Sequence, residues 1–281
     1  MKFVKMQGAG NDYVYVDCFN QTVNDPVTLA QQVSDRHFGI GSDGLILILP
    51  SQCADVQMRI YNADGSEAEM CGNGVRCVAK YVYDHGIAVN SCLTVETQSG
   101  VLTLELFTDG NDKVNRVRVD MGQPRLCRHE IPMLGDGQSQ ALNVTLEVED
   151  RTFVVSCLSM GNPHCVVFVD DVENFPVHYW GPLIENHPQF PRRINVEFVQ
   201  VISTTEVRQR TWERGAGETL ACGTGASAVT VAGFLAGHTQ RMITNHLAGG
   251  ELQMEYHESG ALYMTGPAVE VFSGEFPESK P

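Results

Sequence analysis

Positive charge is scarce in this sequence. Lys and Arg together number 19 against 34 Asp and Glu in 281 residues, a formal net charge of −15, and no run of basic residues interrupts that balance. A chain of this kind is not built to grip nucleic acid or an anionic membrane. Only five lysines are present, at 2, 5, 80, 113 and 280, and none lies in a Gly-rich setting, which argues against a Schiff base with pyridoxal phosphate. No apolar stretch approaches the ~20 residues of a membrane span, and the opening MKFVKMQGAGND lacks the apolar core of a signal peptide. Also missing are Cys-x-x-Cys, a Walker motif, a G-x-S-x-G elbow and any metal-ligand run.

Cysteine, by contrast, is plentiful. Nine occur, at 18, 53, 71, 77, 92, 127, 157, 165 and 222, an odd count at irregular spacing that does not make a disulfide framework. A reducing cytoplasm is the expected location. The apolar content of 43% is that of an ordinary globular protein, and the length suits one large or two medium domains.

Two of the cysteines stand in matched frames. Cys222 lies inside Trp212-Glu-Arg-Gly-Ala-Gly-Glu-Thr-Leu-Ala-Cys-Gly-Thr-Gly225, followed by an apolar small-residue stretch, Ala226–Ala236, that reads as a helix stopped by Gly237. Cys71 lies inside Tyr61-Asn-Ala-Asp-Gly-Ser-Glu-Ala-Glu-Met-Cys-Gly-Asn-Gly74, followed by a helical run stopped by Gly86. The two thiols are 151 positions apart, and the same offset pairs Glu67 with Glu218, Gly72 with Gly223, Gly74 with Gly225, Val78 with Val229, and Gly10-Asn11 with Gly161-Asn162. One offset held across separated segments indicates two structurally similar halves, each with a cysteine at or just before a helix N-terminus. There, unpaired N–H groups and the helix dipole favour an anion and are expected to lower a thiol's pKa.

A lone buried cysteine is usually a small hydrophobe. Two in matched Gly-rich frames call for a different reading. No His sits in either motif, so a Cys–His nucleophile is not indicated. A symmetric pair suits a nearly symmetric reaction, in which one thiolate removes a proton from one face of a carbon and the other thiol returns one to the opposite face. The helix N-termini would hold a substrate carboxylate on the N–H groups around Gly72-Asn73 and Gly223-Thr224. Arg214 follows Glu213 where the first half has Asn62-Ala63, an asymmetry suited to a second carboxylate at the far end of the substrate. A thiol–disulfide redox protein remains the rival of a different class, although it would normally use close Cys-x-x-Cys spacing.

Along the chain, helices are expected at Pro26–His37 (capped by Asp25), Val75–Asp84 and Val177–His187. Short, mostly antiparallel strands are expected between them, among them Tyr13–Asp17, Leu45–Leu49, Val56–Tyr61, Cys165–Val169, Ile194–Val201 and Val207–Trp212. Gly39-Ile-Gly-Ser-Asp-Gly44 fits G-x-G-x-x-G but opens into a strand, so a dinucleotide site is not indicated. Three strands are expected after residue 250. The polar stretch Gly122–Gly137 is the expected crossing between halves.

The segments GAGNDYVYVD, YNADGSEAEMCGNGVRC, SMGNPHCVVFVD, INVEF, ERGAGETLACGTGAS and YMTGPAV resemble the diaminopimelate epimerase family nearly end to end. The resemblance implies a cofactor-independent isomerase that interconverts LL- and meso-diaminopimelate for lysine and peptidoglycan precursor synthesis, commonly as a homodimer. It implies an α+β fold of two pseudo-symmetric domains, each a mostly antiparallel sheet curled around a central helix, here 1–121 plus about 266–281 and 122–265, with the active site in the cleft between them. It further implies Cys71 and Cys222 as the acid/base pair, with His164 and Glu213 in support. Substrate contacts would come from Asn11, Gly44, Asn62, Gly72, Asn73, Asn162, Asn195, Glu213, Arg214, Gly223 and Thr224. At Gly44, where some members carry Gln, only a backbone or water contact is expected. Phe272 stands where some members have a Tyr near the dimer interface.

Overall fold

A computed structural model describes residues 1–68 and 72–277, so Cys71 lies outside the described residues. The chain divides into two compact units, Met1–Val119 with the chain from Gly266 onward, and Asp120–Thr265. The elements of the first unit are β1 (Lys2–Gly8), β2 (Asn11–Asp17), α1 (Pro26–Ser34), β3 (Gly44–Leu49), β4 (Val56–Asn62), β5 (Glu67–Ala68), α2 (Gly72–Asp84), β6 (Cys92–Thr97), β7 (Gly100–Thr108) and β8 (Val114–Asp120). A 3-10 turn at Arg128–Glu130 then precedes β9 (Ala141–Val148), β10 (Arg151–Ser159), β11 (Pro163–Phe168), α3 (Val177–Glu185), β12 (Asn195–Ser203), β13 (Glu206–Glu213), β14 (Gly217–Thr219), α4 (Gly223–Leu235), β15 (Met242–Leu247), β16 (Gly250–Tyr256) and β17 (Leu262–Pro267). The last strand, β18 (Val269–Glu275), returns to the first unit.

Strand order makes the duplication visible. In the first unit it runs β18-β1-β2-β3-β4-β6-β7-β8, antiparallel except for the parallel pairs β2–β3 and β4–β6, with the short β5 on β4. In the second it runs β9-β10-β11-β12-β13-β15-β16-β17, with parallel pairs β11–β12 and β13–β15 and the short β14 on β13. The two sequences of pairings are identical. Register agrees as well: Tyr13 faces Gly44 in one unit and His164 faces Asn195 in the other, each partner displaced by the same 151 positions.

Each sheet packs on a central helix. Residues Asn73 to Val82 of α2 are all buried, including Arg76 and Lys80, and α2 touches β1, β2, β6, β7 and β18. In α4, Gly225 to Gly233 are buried throughout, and the helix touches β10, β11, β12, β15 and β16. An apolar, small-residue sequence such as GASAVTVAG suits a helix enclosed on every side. The opposite face of the first sheet is covered by α1, through Ala30 and Val33 against Val14, Val16, Leu45 and Leu47. In the second unit Val177, Trp180 and Ile184 of α3 join Phe153, Phe175 and Phe198 in the core. Strands covered on both faces read as continuous apolar runs, which is why β2, β3, β11 and β12 lack clean alternation. This is a sheet-rich α+β fold.

Several boundaries differ from expectation. Helix α1 starts as predicted, with Pro26 at its first turn and Asp25 accepting the Thr28 N–H at 3.0 Å, but it stops at Ser34. Asp35 turns to an extended conformation and its carboxylate accepts the N–H groups of His37 and Phe38, both at 2.8 Å, ending the helical ladder early. Helix α3 ends at Glu185, where Asn186 folds back to donate to Pro182 O at 2.8 Å. Four strands follow α4: the three expected after residue 250 are β16, β17 and β18, and one more precedes them. The unexpected one is β15, whose inward Asn245 breaks the apolar pattern yet is fully buried, donating to Gln209 Oε1 at 2.6 Å. No described helix is long and apolar enough to cross a membrane.

Candidate active site

Cys222 caps α4. Its backbone is extended (φ −122°, ψ 111°), and its Sγ accepts the Gly225 N–H at 3.4 Å and lies 3.4 Å from Thr224 Oγ1. Both contacts favour a thiolate. The net effect is nonetheless the opposite of the expected lowering: burial first, then the carboxylates of Glu213 and Glu197, hold the Cys222 thiol well above its ordinary pKa. At 7% exposure the thiol has lost its hydration, and the helix terminus does not make up for two nearby negative charges. A Cβ at position 223 would sit 3.1 Å from Met264 Sδ, so that side chain would have to shift to admit one.

The residues predicted beside Cys222 gather at one end of β11, β12 and β13. His164 is fully buried at the start of β11, with Nδ1 2.8 Å from Glu197 Oε1 and Nε2 3.0 Å from Asn162 Oδ1. Asn195 opens β12; its Nδ2 donates to Pro163 O at 2.7 Å and its Oδ1 accepts the Arg214 N–H at 2.9 Å, tying the Asn162 turn to the Glu213-Arg214 turn. Glu213 ends β13 and accepts from Thr219 Oγ1 at 2.6 Å. The Arg214 guanidinium donates to Arg192 O at 3.1 Å. Sequence reasoning missed Glu185, whose carboxylate accepts the Gly215 N–H at 2.9 Å and Trp212 Nε1 at 2.7 Å and so fixes the same turn from α3. It missed Glu197 too, although an acid inside the apolar INVEF strand was the available signal.

The first unit repeats this layout with different chemistry. Asn11 opens β2 and donates to Asp43 Oδ2 at 2.8 Å; the same oxygen accepts the Asp12 N–H at 3.1 Å. Arg36 bridges Asp12 and Asp43 at 3.0 Å each, and Lys5 pairs with Asp12 at 2.5 Å. Burial raises both carboxyls. At Asp12 the Arg36 and Lys5 contacts outweigh it and lower the pKa, whereas at Asp43 burial prevails and the pKa rises. Asn62 ends β4 and donates to Ser66 Oγ at 3.0 Å. Gly72 and the buried Asn73 begin α2. Gly44 has no room for any side chain, since a Cβ would lie 2.2 Å from Tyr61 O, and its own carbonyl accepts from Ser42 Oγ at 2.9 Å. Among the predicted residues, then, Asn11, Gly44, Asn62, Gly72 and Asn73 lie at one end of the first sheet, and Asn162, His164, Asn195, Glu213, Arg214, Cys222, Gly223 and Thr224 at the matching end of the second.

This duplicated frame can be set against known proteins. The family model described as diaminopimelate epimerase matches residues 3–127 and 156–271. The chain belongs to the diaminopimelate epimerase family. It is 54% identical to the diaminopimelate epimerase of Leptospira biflexa over 275 residues, 98% of each chain. It is 55% identical to that of Moorella thermoacetica over 279 residues, 99% of each. Among solved structures, a phenazine biosynthesis protein of the PhzF family from Bacillus anthracis superposes with a TM-score of 0.69 at 16% identity, covering 99% of each chain. A probable proline racemase from Agrobacterium radiobacter superposes with a TM-score of 0.68 at 16% identity over 98% of this chain and 92% of its own. At such identities the superpositions speak to the fold alone, which this epimerase shares.

Proposed function

We propose that the protein interconverts LL- and meso-diaminopimelate by two-base proton transfer, without a cofactor. The substrate assignment rests on identity above half, over nearly the full length, to relatives bearing that name. The observation that carries the mechanism is Cys222, a buried thiol at the mouth of an enclosed helix whose first amides, at Gly223 and Thr224, have no partner within the helix and so can bind a carboxylate. Cys71 is its counterpart by sequence offset. In one direction of the reaction Cys222 starts as the thiol and serves as the proton donor. As Cys71 thiolate takes the Cα proton from one face, the Cys222 S–H proton passes to the other, inverting the centre and leaving Cys222 as thiolate for the reverse passage. The amides at Gly72-Asn73 and Gly223-Thr224 stabilise the charge that spreads from Cα into the substrate carboxylate. Asn11, Asn62, Asn162, Asn195, Glu213 and Arg214 bind the rest of the substrate, with Arg214 on the distal carboxylate. Gly44 contributes backbone only, and His164 supports catalysis through its neighbours. We further propose a cytoplasmic homodimer, supported by the exposed Val269, Val271 and Phe272 on β18, and small-molecule substrate as the sole other partner, with no nucleic acid and no membrane.

The test is proton NMR of LL-diaminopimelate in D2O with the purified protein under reducing conditions. Loss of a Cα–H signal with appearance of the meso isomer is expected, and both Cys71→Ala and Cys222→Ala should abolish interconversion. No exchange with the wild-type protein, or interconversion undiminished in either variant, would remove the two-thiol mechanism.

A further inference from the structure

The second unit contains a fully buried carboxylate that none of the roles above employs. Glu197 sits on β12, inaccessible to solvent, and touches the site in two directions. On one side its Oε1 meets His164 Nδ1 at 2.8 Å, and the far nitrogen of that ring, Nε2, meets Asn162 Oδ1 at 3.0 Å. On the other side it lies against Gly225, where an added Cβ would come within 2.7 Å of the same Oε1. Gly225 is the residue whose N–H is given to Cys222 Sγ. Glu197 Oε2 has no hydrogen-bond partner among the described residues.

Proton counting constrains this arrangement. Both ring nitrogens of His164 face oxygen atoms, and Asn162 Oδ1 is an acceptor only, so Nε2 carries a hydrogen. The contact at Nδ1 then holds one shared proton, and with it on the ring the pair is an imidazolium facing a carboxylate, neutral overall as full burial of both partners demands and with its negative end, Glu197, against Gly225. The shared proton fixes the ring, and the ring in turn fixes which end of the Asn162 amide faces away from it.

We propose that Glu197 is a positioning residue for the epimerisation, setting the Asn162 amide through His164 and placing negative charge behind the Cys222 thiol. This rests on Cys222 acting as one of the two bases. The titratable groups around that thiol are Glu213 on β13 and Glu197 on β12, with His164 and Cys165 on β11 beside Glu197 and Cys157 on β10 beside Cys165. Glu197 differs from Glu213 in that its charge reaches the thiol without belonging to the substrate-facing turn.

The test combines Glu197→Gln with Glu197→Asp. Iodoacetamide labelling of Cys222, followed across pH by peptide mass mapping, should move down by about one pH unit in Glu197→Gln, because a like charge is removed. The kcat/KM for diaminopimelate should fall about tenfold, the scale of losing a second-tier orienting contact. Glu197→Asp keeps the charge but shortens the reach to His164; it should hold the wild-type labelling profile while losing kcat/KM, and it decides the matter if Glu197→Gln does not fold. The proposal is overturned if folded Glu197→Gln keeps both the wild-type labelling profile and kcat/KM within twofold, or if Glu197→Asp shifts the profile while keeping full activity. Cys222→Ala separates the underlying reading, since undiminished interconversion of the LL and meso isomers in that variant would remove Cys222 as a base whatever the Glu197 variants do.

Discussion

At the scale of single residues, environment overrides local motif. A cysteine at a helix N-terminus is the usual recipe for a reactive thiolate, yet Cys222 is pushed the other way by burial and by Glu213 and Glu197. A thiol whose pKa is higher folded than unfolded holds its proton more tightly in the native state. The stability it contributes is fully present below the unfolded value of about 8.5 and is lost as pH rises from there towards the folded pKa. Urea unfolding from pH 7.5 to 10 should therefore lose stability more steeply in wild type than in Cys222→Ala, by at most about 1.4 kcal/mol per pH unit. Parallel pH dependences for the two proteins would show that Cys222 does not bind its proton more tightly on folding. Gly44 makes the complementary point about space. A methyl group there would lie 2.2 Å from Tyr61 O, a backbone atom locked in the β3–β4 ladder, so Gly44→Ala should cost about 1–3 kcal/mol. An unchanged unfolding midpoint would mean that the strand moves aside freely.

At the scale of elements, the central helices are where the sequence pattern departs furthest from surface-helix rules. Helix α2 carries Lys80 inside the first unit, paired with Asp84 at 2.6 Å and donating to Val114 O at 2.6 Å, while Asp84 also accepts the Val114 N–H at 3.0 Å. One lysine and one aspartate thereby complete the end of β8 and join it to the helix. Removing one partner of such a pair strands the other, so Lys80→Met should destabilise by about 3–5 kcal/mol, whereas the double change Lys80→Met with Asp84→Leu should recover part of the loss. Thermal melts of the two variants check this; a double variant less stable than the single one would mean the pair is favourable in its own right. The same elements show what could be read beforehand. The helix after Cys222 and the strands entering both cysteine frames were legible because their signals are local: glycine stops, caps and apolar runs. Strand β15 was not, since Asn245 looks like a solvent-facing residue until Gln209 of β13 arrives to bond it. Glu197 hid for the same reason, and the direction of the Cys222 pKa depended on carboxylates brought in from β12 and β13. Long-range burial, absent from any short window, separates what was read from what was missed.

At the scale of the whole molecule, two units share one order of strands and one offset, yet they do not carry the same side chains at equivalent places. Tyr13, Gly44, Asn62 and Ala63 in the first correspond to His164, Asn195, Glu213 and Arg214 in the second. The first set is uncharged and the second carries both signs. Under the proposed mechanism, duplication supplies the near-symmetric chemistry at one carbon, and the departures from it read the part of the substrate that is not symmetric about that carbon. Under that proposal Arg214 is the decisive position. Its turn is fixed by Asn195 and by Glu185, so its backbone is held before any substrate arrives. A guanidinium bonded to a distal carboxylate contributes a charge-assisted contact that an analogue lacking the distal amino-acid end cannot make, a difference of about 10–100-fold in kcat/KM. Wild type should accordingly prefer diaminopimelate over 2-aminohexanoate by at least that factor, and Arg214→Gln should collapse the preference by lowering only the rate with diaminopimelate. If Arg214→Gln instead slows both substrates equally, Arg214 serves the reacting centre, and recognition of the far end must come from the asparagines alone.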